Sequence, residues 1–388
     1  MKKLLAISLV LLLAASTAAL IAAYYLTAKS EFYVGVSFCG DTAAKAKLLV
    51  DRVKSYTNLF VLQSGPVSRN ETATTEICDY AVNAGLKIIV YFGDLTPRIS
   101  EENGWLWRLS WLNTTRQRWG DQFLGVYYYD EPGGIQIDCN WTEINPLNWN
   151  VTYDEPDYNK MADLYKWGFQ VDQGFQVAKK ESPALFVSDY ALYWFDYLAG
   201  YDVVFAQAGW NHSLAQDIAL VRGAARLQGK SWGTIITWKY TEPPYLDSGE
   251  AIYRQMQTAY ESGAKYVVLF NYPTLDGNAY GVMKDEHFDA FERFWNDVVH
   301  NPEVVHDGID TEAVLVLPRN YGWGMRRPDD KIWGWWEPDE KSPQIWNISR
   351  QLLAKYSSRL DIVYDDPVFP VEGVYKQVYY WNQTSYFG

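Results

Sequence analysis

The sequence predicts a (β/α)8 barrel with a short C-terminal α/β extension and an N-terminal transmembrane or signal helix. Eight short β-branched or aromatic runs alternate with helix-period stretches over about 270 residues, close to the ~250 that such a barrel needs. No GxGxxG or GxxxxGK[ST] turn follows any of these runs, which counts against an open nucleotide-binding sheet of five or six strands. Ahead of the first run lies a segment of 23 uncharged residues, Leu4 to Leu26, behind Lys2 and Lys3.

That segment, within residues 1–30, spans a ~30 Å hydrocarbon core at ~1.5 Å per residue. Its length favours an uncleaved anchor. Ala14, Ala15, Ala18, Ala22 and Ala23 also supply small residues for signal cleavage. Either way Lys2 and Lys3 stay inside and the body is expected outside, at the cell surface or secreted. Seven of the 18 asparagines (Asn70, Asn113, Asn140, Asn150, Asn211, Asn347 and Asn382) start an N-x-[ST] sequon, where chance gives about two. All lie beyond the apolar segment, which points to an extracytoplasmic glycoprotein.

Residues 31–300 supply the barrel. The expected strands are 32–38, 59–63, 87–92, 123–129, 184–190, 202–207, 233–239 and 266–272. Helical periodicity covers 43–56, 74–84, 101–119, 158–180, 213–227, 249–262 and 285–299, with Gly85, Gly229 and Gly263 placed as stops. Residues 133–157 read as a Trp-, Asn- and Pro-rich insertion. Residues 301–388 form the extension: a buried strand at 313–317, a helix at 342–356 and a strand at 360–364. The run Trp333-Gly-Trp335-Trp336-Glu337-Pro338-Asp339 is too apolar to leave exposed. It either caps the barrel mouth or, the favoured reading, docks the tail on the barrel.

Composition narrows the chemistry. The net charge is −13, and the three cations of the first 30 residues leave the body more acidic still, so nucleic acid is excluded as a partner. Cys39, Cys78 and Cys139 have no CxxC spacing, and the four histidines make no HExxH or HxH group. No metal site or cofactor is expected. Carboxylates remain as the reactive groups.

Barrel function gathers at the carboxyl ends of strands. The fourth ends Tyr127-Tyr-Tyr-Asp130-Glu131-Pro132-Gly133-Gly134, with two acids behind a buried run and two glycines that allow close ligand approach. Asp41, Asp94, Asp189, Glu242, Asn271 and Asp276 stand at or beyond other strand ends, and for Asp41, Asp94 and Asp276 a cap or surface ion pair is an equal reading. Two carboxylates of opposed pKa suit glycoside hydrolysis. Tyr129, Trp194, Trp210, Trp238 and Tyr272 offer flat faces for sugar C–H groups, and Asp189 and Asn271 polar contacts. A further aromatic surface is expected from Trp105, Trp107 and Trp111.

Residues 123–134 resemble the glycoside hydrolases of clan A, in which an Asn-Glu(-Pro) ends the fourth barrel strand and a second Glu ends the seventh. Here Asp130-Glu131-Pro132 matches the first and Glu242 the second, with Asp130 in place of the Asn. The resemblance implies Glu131 as acid/base, Glu242 as nucleophile, and retention of configuration. The tail from Ala313 looks like a truncated form of the α/β domain of β-galactosidase-like members. The expectation is thus a hydrolase of poly- or oligosaccharides. A non-catalytic carbohydrate-binding barrel and a structural glycoprotein of the cell envelope are the alternatives.

Overall fold

The computed structural model describes residues 31–139, 156–275, 277–301, 303–304, 306 and 310–383. Strands β1 (Tyr33–Phe38), β2 (Leu59–Leu62), β3 (Lys87–Gly93), β4 (Phe123–Tyr128), β5 (Leu185–Asp189), β6 (Val203–Ala208), β7 (Ser231–Ile236) and β8 (Tyr266–Leu269) run parallel in sequence order. β8 pairs with β1 through Tyr33 and Tyr266, which closes the barrel. The strands are apolar on both faces because one lines the interior and the other meets helices. Phe186 of β5 packs edge-on against Tyr266 of β8 at 5.4 Å, and Tyr33 stacks on Tyr266 at 5.0 Å. The contact between β5 and β8, which do not pair, puts Phe186 and Tyr266 inside the barrel.

The return helices are α1 (Ala43–Val53), α2 (Glu71–Asn83), α3 (Pro97–Glu102), α4 (Trp107–Trp119), α5 (Pro132–Asp138), α6 (Tyr158–Val171), α7 (Gln173–Glu181), α8 (Tyr193–Ala199), α9 (Leu214–Leu227), α10 (Gly249–Glu261) and α11 (Asp285–Phe294). Two expected helices are broken. The 101–119 stretch is a separate α3 and α4. The 158–180 stretch divides at Asp172, whose carboxylate caps the Phe175 N–H at 2.9 Å and accepts from the hydroxyls of Tyr128 and Tyr129. A capping acid ends a helical run that apolar periodicity alone carries through. Of the expected aromatic surface only Trp111 is core, buried against Phe92 and Trp119; Trp107, packed on Phe92, and Trp105, under Arg108, are half-buried.

Of the 133–157 insertion, residues 133–138 are helical and belong to α5, and 140–155 lie outside the described residues. So does the expected anchor at 1–30. Among the described residues no helix is long and apolar enough to cross a membrane.

The extension folds as β9 (Ala313–Leu317), α12 (Lys341–Tyr356), β10 (Leu360–Tyr364) and β11 (Gln377–Tyr380), a parallel sheet in the order β10-β9-β11. The tryptophan-rich run docks rather than capping the mouth. Trp333 is fully buried against Phe195 at 4.6 Å and Tyr165 at 5.9 Å, and Trp336 meets Tyr158 at 5.5 Å. Nearby, where Phe195 also meets Tyr364 at 5.0 Å, α9 lies on β10. Asp361, fully buried, accepts from Arg222 at 2.7 Å, Arg226 at 3.2 Å and the Tyr375 hydroxyl at 2.9 Å. A buried charge with this many partners contributes little net stability, yet removing one partner strands the other. Asp361→Ala is expected to cost about 3–5 kcal/mol in urea unfolding, and the double change Arg222→Met with Asp361→Leu to recover most of it. A loss under about 1 kcal/mol for the single variant, typical of exposed pairs, contradicts this reading.

Candidate active site

At the end of β4 the backbone turns abruptly. Tyr129 (φ 58°) and Glu131 (φ 55°) are both left-handed, a conformation that costs non-glycine residues about 1–3 kcal/mol and persists only where the surroundings impose it. Asp189, at the end of β5 and fully buried, supplies the constraint. Its carboxylate accepts the backbone N–H groups of Gly133, Gly134, Tyr190 and Ala191, the second and fourth at 2.7 and 3.2 Å. It thereby ties the start of α5 to the β5 loop. The glycines serve this contact and not a ligand. A Cβ on Gly133 would meet Ala191 O and Asp189, and one on Gly134 the ring of Tyr190. The Glu131 N–H donates to Ser188 O at 3.0 Å, which completes the turn.

Asp189 has an acid neighbour, Asp196 of α8. Burial raises both, but the four N–H donors pull Asp189 back, whereas the charge of Asp189 pushes Asp196 further up. Asp196 therefore holds the proton. Its Oδ1 also accepts from the Tyr165 hydroxyl at 2.6 Å.

The turn delivers Asp130 and Glu131 to a cavity of about 220 Å³ in the barrel mouth. One wall is apolar: Trp210, Ile235, Trp238, Phe270 and Tyr272. Trp238 lies 5.9 Å from Trp210 and 5.8 Å from Tyr272 by ring centroids, and Trp210 N–H to Trp238 O at 2.7 Å pins the β6 and β7 loops together. The rest of the lining is polar: Gln63, Asp130, Glu131, Ser188, Gln207 and Thr237. All of these but Thr237 are linked in one hydrogen-bonded chain. The Tyr127 hydroxyl, which receives Gln63 Nε2 at 3.4 Å, donates to Asp130 Oδ1. Ser188 Oγ also donates to that oxygen, at 3.3 Å. Gln207 Nε2 reaches Ser188 Oγ at 3.1 Å and Glu131 Oε1 at 2.6 Å.

Burial pushes the Asp130 carboxyl up to about 7, and the charge of Glu131 adds to the rise, while the bonds from Tyr127 and Ser188 oppose it. Near neutral pH the Asp130 carboxyl is thus poised to keep or give up its proton beside Glu131. Among the described residues no group of His, Cys, Asp and Glu is arranged to hold a metal ion.

The structure brings together five of the residues expected at the site: Asp130, Glu131, Trp210, Trp238 and Tyr272. The others fall elsewhere. Glu242 is exposed in the loop after β7 and does not line the cavity, because β7 ends at Ile236 and its end is occupied by Thr237 and Trp238. Tyr129 spends its hydroxyl on Asp172. Trp194 is buried against Tyr364 at 6.0 Å and Phe369 at 5.9 Å of the extension. Asn271 is buried and accepts from Val282 N–H at 3.0 Å, which fixes the β8 loop. Asp41 pairs with Lys45 at the surface and Asp94 caps Thr96; Asp276 lies outside the described residues. Gln63 and Gln207 were not expected. Their signal was a single amide closing an apolar run, as in Phe60-Val-Leu-Gln63 and Val204-Phe-Ala-Gln207.

No family model and no curated protein sequence matches the chain. Solved structures do. An α-L-fucosidase from Paenibacillus thiaminolyticus superposes with a TM-score of 0.50 at 10% identity, over 87% of this chain and 58% of that one. An exo-β-1,4-mannosidase from Opitutaceae bacterium strain TAV5 gives 0.48 at 13%, over 90% and 72%. An endo-β-1,4-mannanase from Thermotoga petrophila gives 0.42 at 9%, over 76% and 83%. The likeness is one of fold.

The electrostatics of the acid pair are open to direct titration. Carbon-13 NMR of the Asp130 carboxyl is expected to show a midpoint near 7, falling in Glu131→Gln because a like charge is removed, yet staying above the ordinary ~3.9 because burial remains. A wild-type midpoint near that ordinary value contradicts the assigned environment.

Proposed function

We propose that this protein hydrolyses glycosidic bonds, with Asp130 and Glu131 as the reacting acids. The observation that carries the reading is the Asp130 carboxyl, raised to about 7 beside Glu131, in a small cavity that Trp210, Trp238 and Tyr272 also line. Sugar rings are amphipathic in the same sense: their C–H faces stack on Trp and Tyr while their hydroxyl edges need hydrogen-bond partners. In the reaction the protonated member gives its proton to the leaving oxygen as the C–O bond breaks. The charged member stabilises the positive anomeric carbon and takes a proton from the water that supplies the new hydroxyl. A fucosidase, a mannosidase and a mannanase among the structures of like fold accord with this chemistry.

The role first expected of Glu242 is not part of this proposal, because its side chain stands outside the cavity. That position also motivates a second reading, a barrel that binds carbohydrate without cleaving it. A glycan panel decides between them. Glu131→Gln in the full-length chain is expected to lower turnover about 10²–10⁴-fold, and Glu242→Gln to change it by no more than about twofold, as for surface positions. Wild-type binding without cleavage of any bound glycan favours the second reading; full activity in Glu131→Gln ends the first. The rate should fall above pH about 7, as Asp130 loses its proton.

We also propose that the body works outside the cytoplasm as a glycoprotein. The described sequon residues Asn70, Asn113, Asn211, Asn347 and Asn382 are all exposed. Asn70 caps α2 through its Oδ1, which leaves its nitrogen free for a glycan. Protein from its native source is expected to weigh more than 44.7 kDa and to lose the excess on chemical deglycosylation; an unmodified mass at every sequon contradicts the proposal.

A further inference from the structure

The two acids are held by a buried chain whose direction is fixed. Gln207 is 4% exposed and Ser188 2%, so little solvent competes for their bonds. An amide nitrogen only donates. Gln207 Nε2 gives one hydrogen to Glu131 Oε1 at 2.6 Å and the other to Ser188 Oγ at 3.1 Å. Ser188 Oγ, engaged as an acceptor, turns its own hydrogen to Asp130 Oδ1 at 3.3 Å. A second relay ends on the same atom. Gln63 Nε2 reaches the Tyr127 hydroxyl at 3.4 Å, and that hydroxyl donates to Asp130 Oδ1.

Two incoming donors fill both lone pairs of Asp130 Oδ1. Among the described residues none donates to Asp130 Oδ2 or to Glu131 Oε2, and neither oxygen is buried without a partner. Each acid therefore has one tethered oxygen and one open one. A proton on Asp130 has only Oδ2 to occupy. Glu131 takes an amide donor on Oε1, a bond that an ionised carboxylate accepts best. The other titratable groups about Asp130 stay neutral, since burial raises Tyr127, Tyr91 of β3 and Cys39 after β1. Burial, and then the charge of Glu131, raise Asp130 to about 7, so it is the member that carries a proton up to neutral pH.

We propose that Gln207 is a positioning residue that assigns the roles of the pair: through Ser188 it closes Oδ1 of Asp130, leaving Oδ2 as the atom that gives the proton, and it holds Glu131 as the charged partner. The inference rests on the hydrolase reading above. It divides the labour in the reverse of what the resemblance to clan A implies, which places the acid/base at Glu131. In the cleavage the bond from Oδ2 to its hydrogen breaks and the proton goes to the leaving oxygen, which keeps the electron pair of the broken C–O bond. Glu131 Oε2 takes a proton from the water whose oxygen joins the anomeric carbon. Exchange with solvent after product release returns the proton from Glu131 to Asp130.

Two measurements on the full-length protein test this. The first is the carbon-13 titration of Asp130, which needs no substrate. Ser188→Ala removes a donor that opposes the rise, so the midpoint should climb by about half a pH unit or more. Gln207→Met should climb with it, because Ser188 is then free to turn away, and the double variant should climb no further than Ser188→Ala alone. Melting temperatures serve as the folding control. An unchanged midpoint in folded Gln207→Met, or additive climbs, overturns the relay. The second is leaving-group dependence, read on the methyl and dinitrophenyl glycosides of whichever sugar the wild type releases in the glycan panel. A dinitrophenolate departs without a proton. Asp130→Asn should therefore lose at least about tenfold less kcat on the dinitrophenyl glycoside than on the methyl one, whereas Glu131→Gln should lose alike on both. The opposite pattern overturns the assignment. Titration as expected without turnover on any glycoside removes the hydrolase reading and leaves the relay. Turnover with the midpoint unchanged in Gln207→Met does the reverse.

Discussion

Four backbone N–H groups converge on the carboxylate of Asp189, and the geometry of the barrel mouth depends on them. Asp189 sits at the end of β5, yet two of its donors belong to the first turn of α5, so one buried acid locks two loops together. With that turn fixed, Glu131 is held left-handed and its side chain is delivered to the cavity. The bonds cannot be traded for water at this depth. A charge so placed is tolerated only because every donor is preorganised and the neighbouring Asp196 takes the proton.

The extension supports the same turn from its far side. Arg326 pairs with Asp138 at the end of α5 at 2.7 Å, and Gln136 in the middle of that helix donates to Trp333 O at 2.8 Å. A helix of seven residues has little stability of its own. Asp189 at its start and the extension along its length hold α5 in place, which connects the buried tryptophan run to the position of the acid pair. The aromatic wall has its own anchor in the bond from Trp210 to the end of β7.

The barrel was legible because parallel strands covered on both faces read as short unbroken apolar runs, and all eight registered as such. The acid pair was legible because charge directly after such a run has no packing reason. What could not be read were features set by three-dimensional partners. Asp172 divides a helix through contacts to Tyr128 and Tyr129 that periodicity does not contain. Trp194 and Tyr129 carry the residue type of a sugar platform, but the extension and Asp172 claim them. Glu242 follows β7 in sequence by a few residues, and the loop carries it outward. Gln63 and Gln207 went unread because an amide has no charge or motif; only its place at the close of an apolar strand marks it.

The central claim is that a sugar ring lies in the barrel-mouth cavity with its glycosidic oxygen against the Asp130–Glu131 pair. A crystal structure of Glu131→Gln soaked with an oligosaccharide that the wild type cleaves tests it most directly. The account predicts a ring stacked on Trp238 and the scissile oxygen within hydrogen-bond distance of residue 130 or 131. A saccharide bound elsewhere on the barrel, with this cavity empty, would contradict it.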